Sequence, residues 1–238
     1  KFNIILKNSI LIFFGIIHPM KNPLWKIKKE KLDKTNLFSY SKFIKEHYKF
    51  DAGNDYNKLW EWSVRNIPLF WKSVWDFTKV KGKQGKILIK KSNSFHENKF
   101  FPEGQLNYAE NIIKKKDSSL SIIFNSENGF RTTLTWSQLN FNTEKISNWM
   151  QFNGIKKGDR VAAYLPNIPE TIVAYLSTSV LGAIWSSCSP DFGAAGVIDR
   201  FSQIKPKILF IIDKYFYNGK KINVIERLPL ILEKVPSI

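Results

Sequence analysis

From Leu120 onward, short apolar runs alternate with segments of helical spacing, and few architectures accept that alternation. LSIIF (Leu120 to Phe124), RTTLTW (Arg131 to Trp136), DRVAAYLP (Asp159 to Pro166), AIWSSCS (Ala183 to Ser189) and KILFIID (Lys207 to Asp213) are each of strand length. Between them, Thr135 and Gln138 are spaced as a capping box for a helix ending near Gly154. IPETIVAYLSTSVLG reads as a helix with Pro169 in its first turn and Gly182 near its end. GAAGVIDRFSQI is the next helix, and INVIERLPLILEKV is a last helical stretch. Strands joined by helices of this length predict parallel βαβ units with right-handed crossovers, in a sheet covered on both faces. The fold class is therefore α/β, with a doubly wound, mainly parallel sheet whose ligands bind beyond the carboxyl ends of the strands.

The chain before this series is of another kind. Trp25, Trp60, Trp62, Trp71 and Trp75 fall between Pro23 and about Gly85. In DYNKLWEWSVRNIPLFWKSVWDF, the spacing predicts two short helices separated at Pro68. Leu59, Trp60 and Val64 should form the inward face of the first, and Phe70, Trp71, Val74 and Trp75 that of the second, since each ring brings a large area to bury. GKQGKILIKKS is a Gly-punctuated, hairpin-like piece, and a helix should open near Leu106. A linker is expected between Gly82 and Pro102. Residues 1–19 are expected to lie outside the folded unit. Lys1 and Lys7 precede an apolar run from Ile10 to Ile17 that is too short to span a bilayer, and Met20 stands just before KNPLW.

Composition removes several functions. The formal net charge of +17 raises nucleic-acid binding, but only Arg65, Arg131, Arg160, Arg200 and Arg227 are arginines. Bidentate and stacked contacts lean on arginine, so scattered lysines favour a solvated surface. One cysteine excludes an internal disulfide, and His18, His47 and His96 give no metal-ligand spacing. A reducing, cytoplasmic location follows from the cysteine usage. Cys188, within IWSSCSPDFG, lacks the base a nucleophile needs, since no histidine follows His96. Ser186, Ser187 and Ser189 lack the Gly-x-Ser-x-Gly elbow, and no Gly-x-Gly-x-x-Gly or P-loop motif is present.

Two turns carry the chemistry that remains. In SPDFG, Ser189, Pro190, Asp191 and Phe192 precede a helix, a geometry in which backbone N–H groups receive anions and Phe192 adds a stacking surface; a plain tight turn is the alternative. In DKYFYNGKK, Tyr217 offers a ring, Asn218 and Gly219 a close backbone approach, and Lys220 and Lys221 cations for phosphate. An Asn-Gly turn between a strand and a helix is the competing reading there.

Read in order, PLW (Pro23 to Trp25), TNL (Thr35 to Leu37), DYNKLWEWSV (Asp55 to Val64), FWKSVWDF (Phe70 to Phe77), FPEGQLNYAEN (Phe101 to Asn111), GDRVAAYLPNIPET (Gly158 to Thr171), LGAIWSSCSPDFG (Leu181 to Gly193) and YNGK (Tyr217 to Lys220) resemble the acetoacetyl-CoA synthetases. These form a branch of the adenylate-forming acyl-CoA synthetases. GAIWSSCSPDFG points to that branch, because acetyl-CoA synthetases carry a Gly-Gly-Phe turn there. The resemblance implies an aromatic-rich cap over residues 20–100 and an incomplete first part of the AMP-binding large domain over residues 101–238. It implies ATP, CoA and Mg²⁺ as cofactors of the full-length enzyme, and acetoacetate and CoA as small-molecule substrates. Acetoacetate and ATP would form an acyl-adenylate and diphosphate, and the CoA thiol would then displace AMP.

The Ser/Thr/Gly-rich phosphate loop, the later nucleotide motifs and the C-terminal lysine of that family have no counterpart before Ile238, so this portion is expected to be inactive alone, its partner being the rest of its own chain. By the resemblance, Ser189 to Phe192 align with a turn that contacts CoA, and Tyr217 to Lys220 with the Arg-Gly-Gly-Lys CoA segment of acetyl-CoA synthetases. Tyr217 replaces that arginine. The competing readings are a non-catalytic fragment binding CoA or a partner chain through a sheet edge, and a basic nucleic-acid binder; no nucleic acid and no membrane partner are expected.

Overall fold

Asp55 and Pro68 start the two aromatic helices where their chemistry requires. The computed structural model describes residue 25 and residues 27–238, so the expectation for residues 1–19 lies outside the described residues. Its contacts divide the chain after Lys79 into two compact units. In the first, α1 (Lys29–Leu32) and α2 (Asn36–Tyr48) precede α3 (Tyr56–Arg65) and α4 (Ile67–Phe77). The Asp55 carboxylate accepts from the Asn57 and Lys58 amides at the start of α3, and Pro68 sits in the first turn of α4, where its missing N–H costs nothing. The core of this unit gathers Tyr40, Ile44, Ala52, Leu59 and Trp62, with Phe50 stacked on Trp62 at 5.0 Å.

The inward face of α3 differs from the expected one. Leu59 and Trp62 are buried, while Trp60 and Val64 are 55% and 47% exposed. Residues two apart on a helix point to opposite sides, so Trp60 and Trp62 cannot both turn inward. The stack on Phe50 favours Trp62. On α4, Phe70 and Val74 pack against the core as expected, whereas Trp71 stays 41% exposed.

The second unit opens with small antiparallel pairs. β1 (Ile89–Lys90) pairs with β2 (Lys99–Phe100), and Lys83 bridges Gln105. GKQGKILIKKS therefore finds its partner beyond itself, in Lys99 to Gln105. α5 (Tyr108–Ile112) starts at Asn107, whose side chain accepts from the Glu110 amide. β3 (Leu120–Asn125) and β4 (Arg131–Thr135) pair with each other, antiparallel, and stand apart from the parallel sheet. α6 (Trp136–Phe152) begins with the capping box of Thr135 and Gln138, both halves made.

The parallel sheet has the order β6-β5-β7, with β5 (Arg160–Tyr164) between β6 (Ile184–Cys188) and β7 (Ile208–Ile211). α7 (Pro169–Val180) links β5 to β6, and α8 (Ala194–Ile204) links β6 to β7. Side-chain alternation along β5 divides the core. Val161 packs with Met150, Ile155, Trp185 and Phe210, whereas Ala162 and Tyr164 pack with Val197 and Phe201. Both faces of the central strand are thus covered, as near-continuous apolarity requires.

After β7 comes a hairpin that periodicity assigned in part to a helix. β8 (Lys214–Tyr217) pairs antiparallel with β9 (Lys220–Asn223), so Ile222 and Asn223 are in a strand. A 3₁₀ turn (Ile225–Arg227) follows, and only then α9 (Leu228–Lys234). Asn218 and Gly219 have φ of 52° and 70°, the left-handed pair of a type I′ turn, whose twist matches that of the flanking strands. The amides of Val224 and Ile225 both donate to the Asp213 carbonyl and close the base.

Candidate functional site

The last residues of the three parallel strands lie level: Tyr164 pairs with Cys188 on one side and Ile211 on the other. The two sequence-predicted segments leave the sheet here. Ser189 to Phe192 follow β6, and the β8–β9 hairpin follows β7.

Tyr164 is fully buried and aims its hydroxyl at the Ser189–Phe192 turn, donating to the carbonyls of Pro190, at 3.2 Å, and Phe192. Arg227, from the 3₁₀ turn, reaches the same place. Its Nη1 donates to the Tyr164 hydroxyl and to the Pro190 and Phe192 carbonyls, the last two at 2.9 and 3.1 Å. The turn's carbonyls therefore face inward onto a guanidinium.

On the outer side of the turn, the Ser189 hydroxyl donates to Asp191 at 2.7 Å, and the Tyr215 hydroxyl donates to its other oxygen at 2.8 Å. These two bonds hold the Asp191 carboxyl below the usual carboxylate range. Burial, with Asp191 adding to it, pushes the Tyr215 hydroxyl up to about 12. Phe192 is 41% exposed, and the Arg200 guanidinium lies 4.3 Å from its ring centroid, a cation–π contact. Gly193 caps α8 without a side-chain bond. The turn thus joins an open helix start to an ionised carboxylate, and four side chains from outside it, Tyr164, Arg227, Tyr215 and Arg200, contact it.

The second segment forms the hairpin tip. Tyr217 and Lys220 face each other across the turn, both on the surface. The amides of Asn218 and Gly219 converge on one carboxylate: Glu127, from the β3–β4 turn, accepts at 2.9 Å through Oε2 and at 3.0 Å through Oε1. The two predicted segments are linked through Tyr215 on β8 and Asp191 in the turn.

Cys188 is buried among Ala162, Tyr164, Val197 and Phe201, and burial pushes its thiol upward. Such a thiol behaves as a small hydrophobe. Among the described residues no group of three or more His, Cys, Asp or Glu side chains is placed to hold a metal. The residues fit a phosphate-bearing ligand better. A pair of converging amides already accepts an anion, Lys220 and Lys221 follow it, and Phe192 and Tyr217 offer exposed rings. No helix among the described residues is long and apolar enough to cross a membrane.

Sequence reasoning missed Tyr164, Arg227, Tyr215 and Glu127. A tyrosine closing the small-residue run Val161, Ala162, Ala163 was a usable signal, because its polar tip needs a partner at a strand end. Nothing local marks Glu127, whose contact spans 91 residues.

The family model described as AMP-binding enzyme matches residues 113–237, and that described as acetyl-coenzyme A synthetase N-terminus matches residues 56–112. An acetoacetyl-coenzyme A synthetase from Rhizobium meliloti (strain 1021) is 39% identical over 204 residues, 86% of this chain and 31% of that protein. An acetoacetyl-CoA synthetase from Xenopus tropicalis is 38% identical over 77% of this chain and 28% of its own length. The solved acetoacetyl-CoA synthetase from Streptomyces lividans superposes with a TM-score of 0.84 at 29% identity, covering 91% of this chain and 34% of that one. The chain thus spans about a third of the length of the relatives it matches.

Proposed function

The chain belongs to the AMP-binding enzyme family, and from that premise we propose that it is the amino-terminal portion of an acetoacetate–CoA ligase. Residues 20–100 form the aromatic-rich cap, and residues 101–238 form the first part of the adenylate-forming domain; the junction of the two family matches at 112 and 113 supports a division of this kind. In the complete enzyme the carboxylate of acetoacetate attacks the α-phosphorus of ATP, diphosphate leaves, and the CoA thiol then attacks the acyl carbon and expels AMP. Mg²⁺, when bound, would supply charge neutralisation on the ATP phosphates. This portion alone does not turn over.

The role of the described residues is to hold CoA. Ser189 to Phe192 form one wall, fixed from behind by Tyr164 and Arg227. Tyr217 to Lys220 form the other, with Lys220 as the phosphate cation and Tyr217 as a stacking ring. Location in the cytoplasm accords with one buried thiol and no disulfide.

The observation that carries the reading is 39% identity to an acetoacetyl-CoA synthetase across 86% of the chain. It is tested on the full-length enzyme by diphosphate exchange into ATP. Exchange is expected with acetoacetate; exchange with acetate and none with acetoacetate would overturn the substrate assignment. If an in-frame stop follows Ile238 and the chain binds CoA without any exchange, the non-catalytic CoA-binding reading replaces it.

A further inference from the structure

We propose that Glu127 is a built-in anion that occupies the phosphate-accepting position of the Asn218–Gly219 turn, so that it decides which ligands this turn admits. The proposal rests on the CoA reading of the hairpin only for the identity of the ligand displaced.

The geometry is that of a bound oxyanion. Two successive amides donate to the two oxygens of one carboxylate, at 2.9 and 3.0 Å. Successive backbone N–H groups in a left-handed turn form an anion-binding concavity, and positive φ at Asn218 and Gly219 is what aims both hydrogens outward. Charge-assisted bonds of this kind are shorter and stronger than neutral ones. A phosphate oxygen pair presents the same acceptor pattern as the carboxylate, and the two cannot use one pair of hydrogens together.

Glu127 is also suited to leave. It is exposed and makes no ion pair among the described residues, although the chain is strongly cationic. It lies in a turn closed by the Ser126 amide on the Phe130 carbonyl, with Gly129 at φ +82°, outside the core clusters of its unit. Its carboxylate can swing away without uncovering buried surface, at the cost of two surface hydrogen bonds. A ligand carrying a phosphate repays them with its own charge and with Lys220. An uncharged ligand group cannot, so Glu127 competes with the ligand's phosphate for the two amides and sets how strongly an anion must bind to displace it.

The test uses the 238-residue chain, ¹⁵N-labelled, with inorganic phosphate as the probe and the amide resonances of Asn218 and Gly219 as the readout. In E127Q and E127A both resonances should move upfield before any addition. Phosphate should then move them with a midpoint about fivefold lower than in the unsubstituted chain, a difference of about 1 kcal/mol at 1.4 kcal/mol per tenfold. The other amides should stay dispersed, which excludes unfolding as the cause. Equal midpoints in the three proteins, or no response of these amides in any, overturns the proposal. CoA and dephospho-CoA are compared next. A larger preference for CoA in E127Q supports the proposal. If phosphate behaves as expected while CoA moves neither amide, Glu127 still holds an anion position and the CoA reading of the hairpin alone is refuted.

Discussion

The hydrogen inventory behind the Ser189–Phe192 turn makes an unequal prediction for its two anchors. Arg227 Nη1 brings two hydrogens and the Tyr164 hydroxyl one, against three acceptors: the Tyr164 oxygen and the carbonyls of Pro190 and Phe192. Supply equals demand. Tyr164→Phe removes one donor and one acceptor together, and the ring still fills its space. The guanidinium then serves both carbonyls, and the cost is that of one net hydrogen bond, about 0.5–1.5 kcal/mol. Arg227→Met keeps most of the apolar stem but leaves one hydrogen for two carbonyls. One of them, at the buried Pro190, is stranded for part of the time, which costs about 1–3 kcal/mol. In the double variant both carbonyls lose every side-chain donor, so its cost should exceed the sum by about 1 kcal/mol. Equilibrium urea unfolding followed by circular dichroism, with an unchanged slope, measures all three. Additivity within about 0.5 kcal/mol, or a costlier Tyr164→Phe than Arg227→Met, would refute the reasoning.

Two further outcomes are expected. The Asp191 carboxyl is held low by Ser189 and Tyr215, so its contribution to stability is present above about pH 4 and is lost as pH falls through its lower folded value. The Tyr215 hydroxyl is raised to about 12, so its contribution is present below about pH 10 and is lost as pH rises through about 12. Tyr215→Phe should therefore abolish its share of the alkaline loss and soften the acid one, and superimposable urea midpoint profiles from pH 2 to 12 would argue against the Asp191–Tyr215 bond. In the first unit, Trp62→Ala should cost about 3–5 kcal/mol, whereas Trp60→Ala should stay within about 0.5 kcal/mol; equal shifts in thermal midpoint would overturn the assigned face.

The legible parts of the sequence were those governed by local physics. Thr135 and Gln138 announced their capping box, Pro169 the start of α7, and the runs around Val161, Trp185 and Leu209 the parallel strands. Choices made by distant partners were not legible. Whether Trp60 or Trp62 turns inward depends on Phe50, and LSIIF and RTTLTW look like any other strands until they pair with each other. The Asn218–Gly219 hairpin was readable from its turn residues, but the helical spacing of the following Ile222, Ile225 and Leu228 outweighed it. At the site, the exposed members Phe192, Tyr217 and Lys220 could be found in sequence because turn chemistry is local. Arg227 and Glu127 could not, because what they hold lies far along the chain, and Tyr164 offered only its place at the end of a small-residue strand.

The anchoring of the turn by Arg227 also sets a timetable for synthesis. Arg227 lies 35 residues beyond Phe192 and 63 beyond Tyr164. At a ribosomal rate of ~5–20 residues per second, the turn waits roughly 2–7 s after its own translation before its clamp has been made. During that interval α8 and β7 are made, while the Pro190 and Phe192 carbonyls depend on Tyr164 and water alone. The nascent chain therefore passes through a stage in which the sheet's edge is complete but its mouth is still slack.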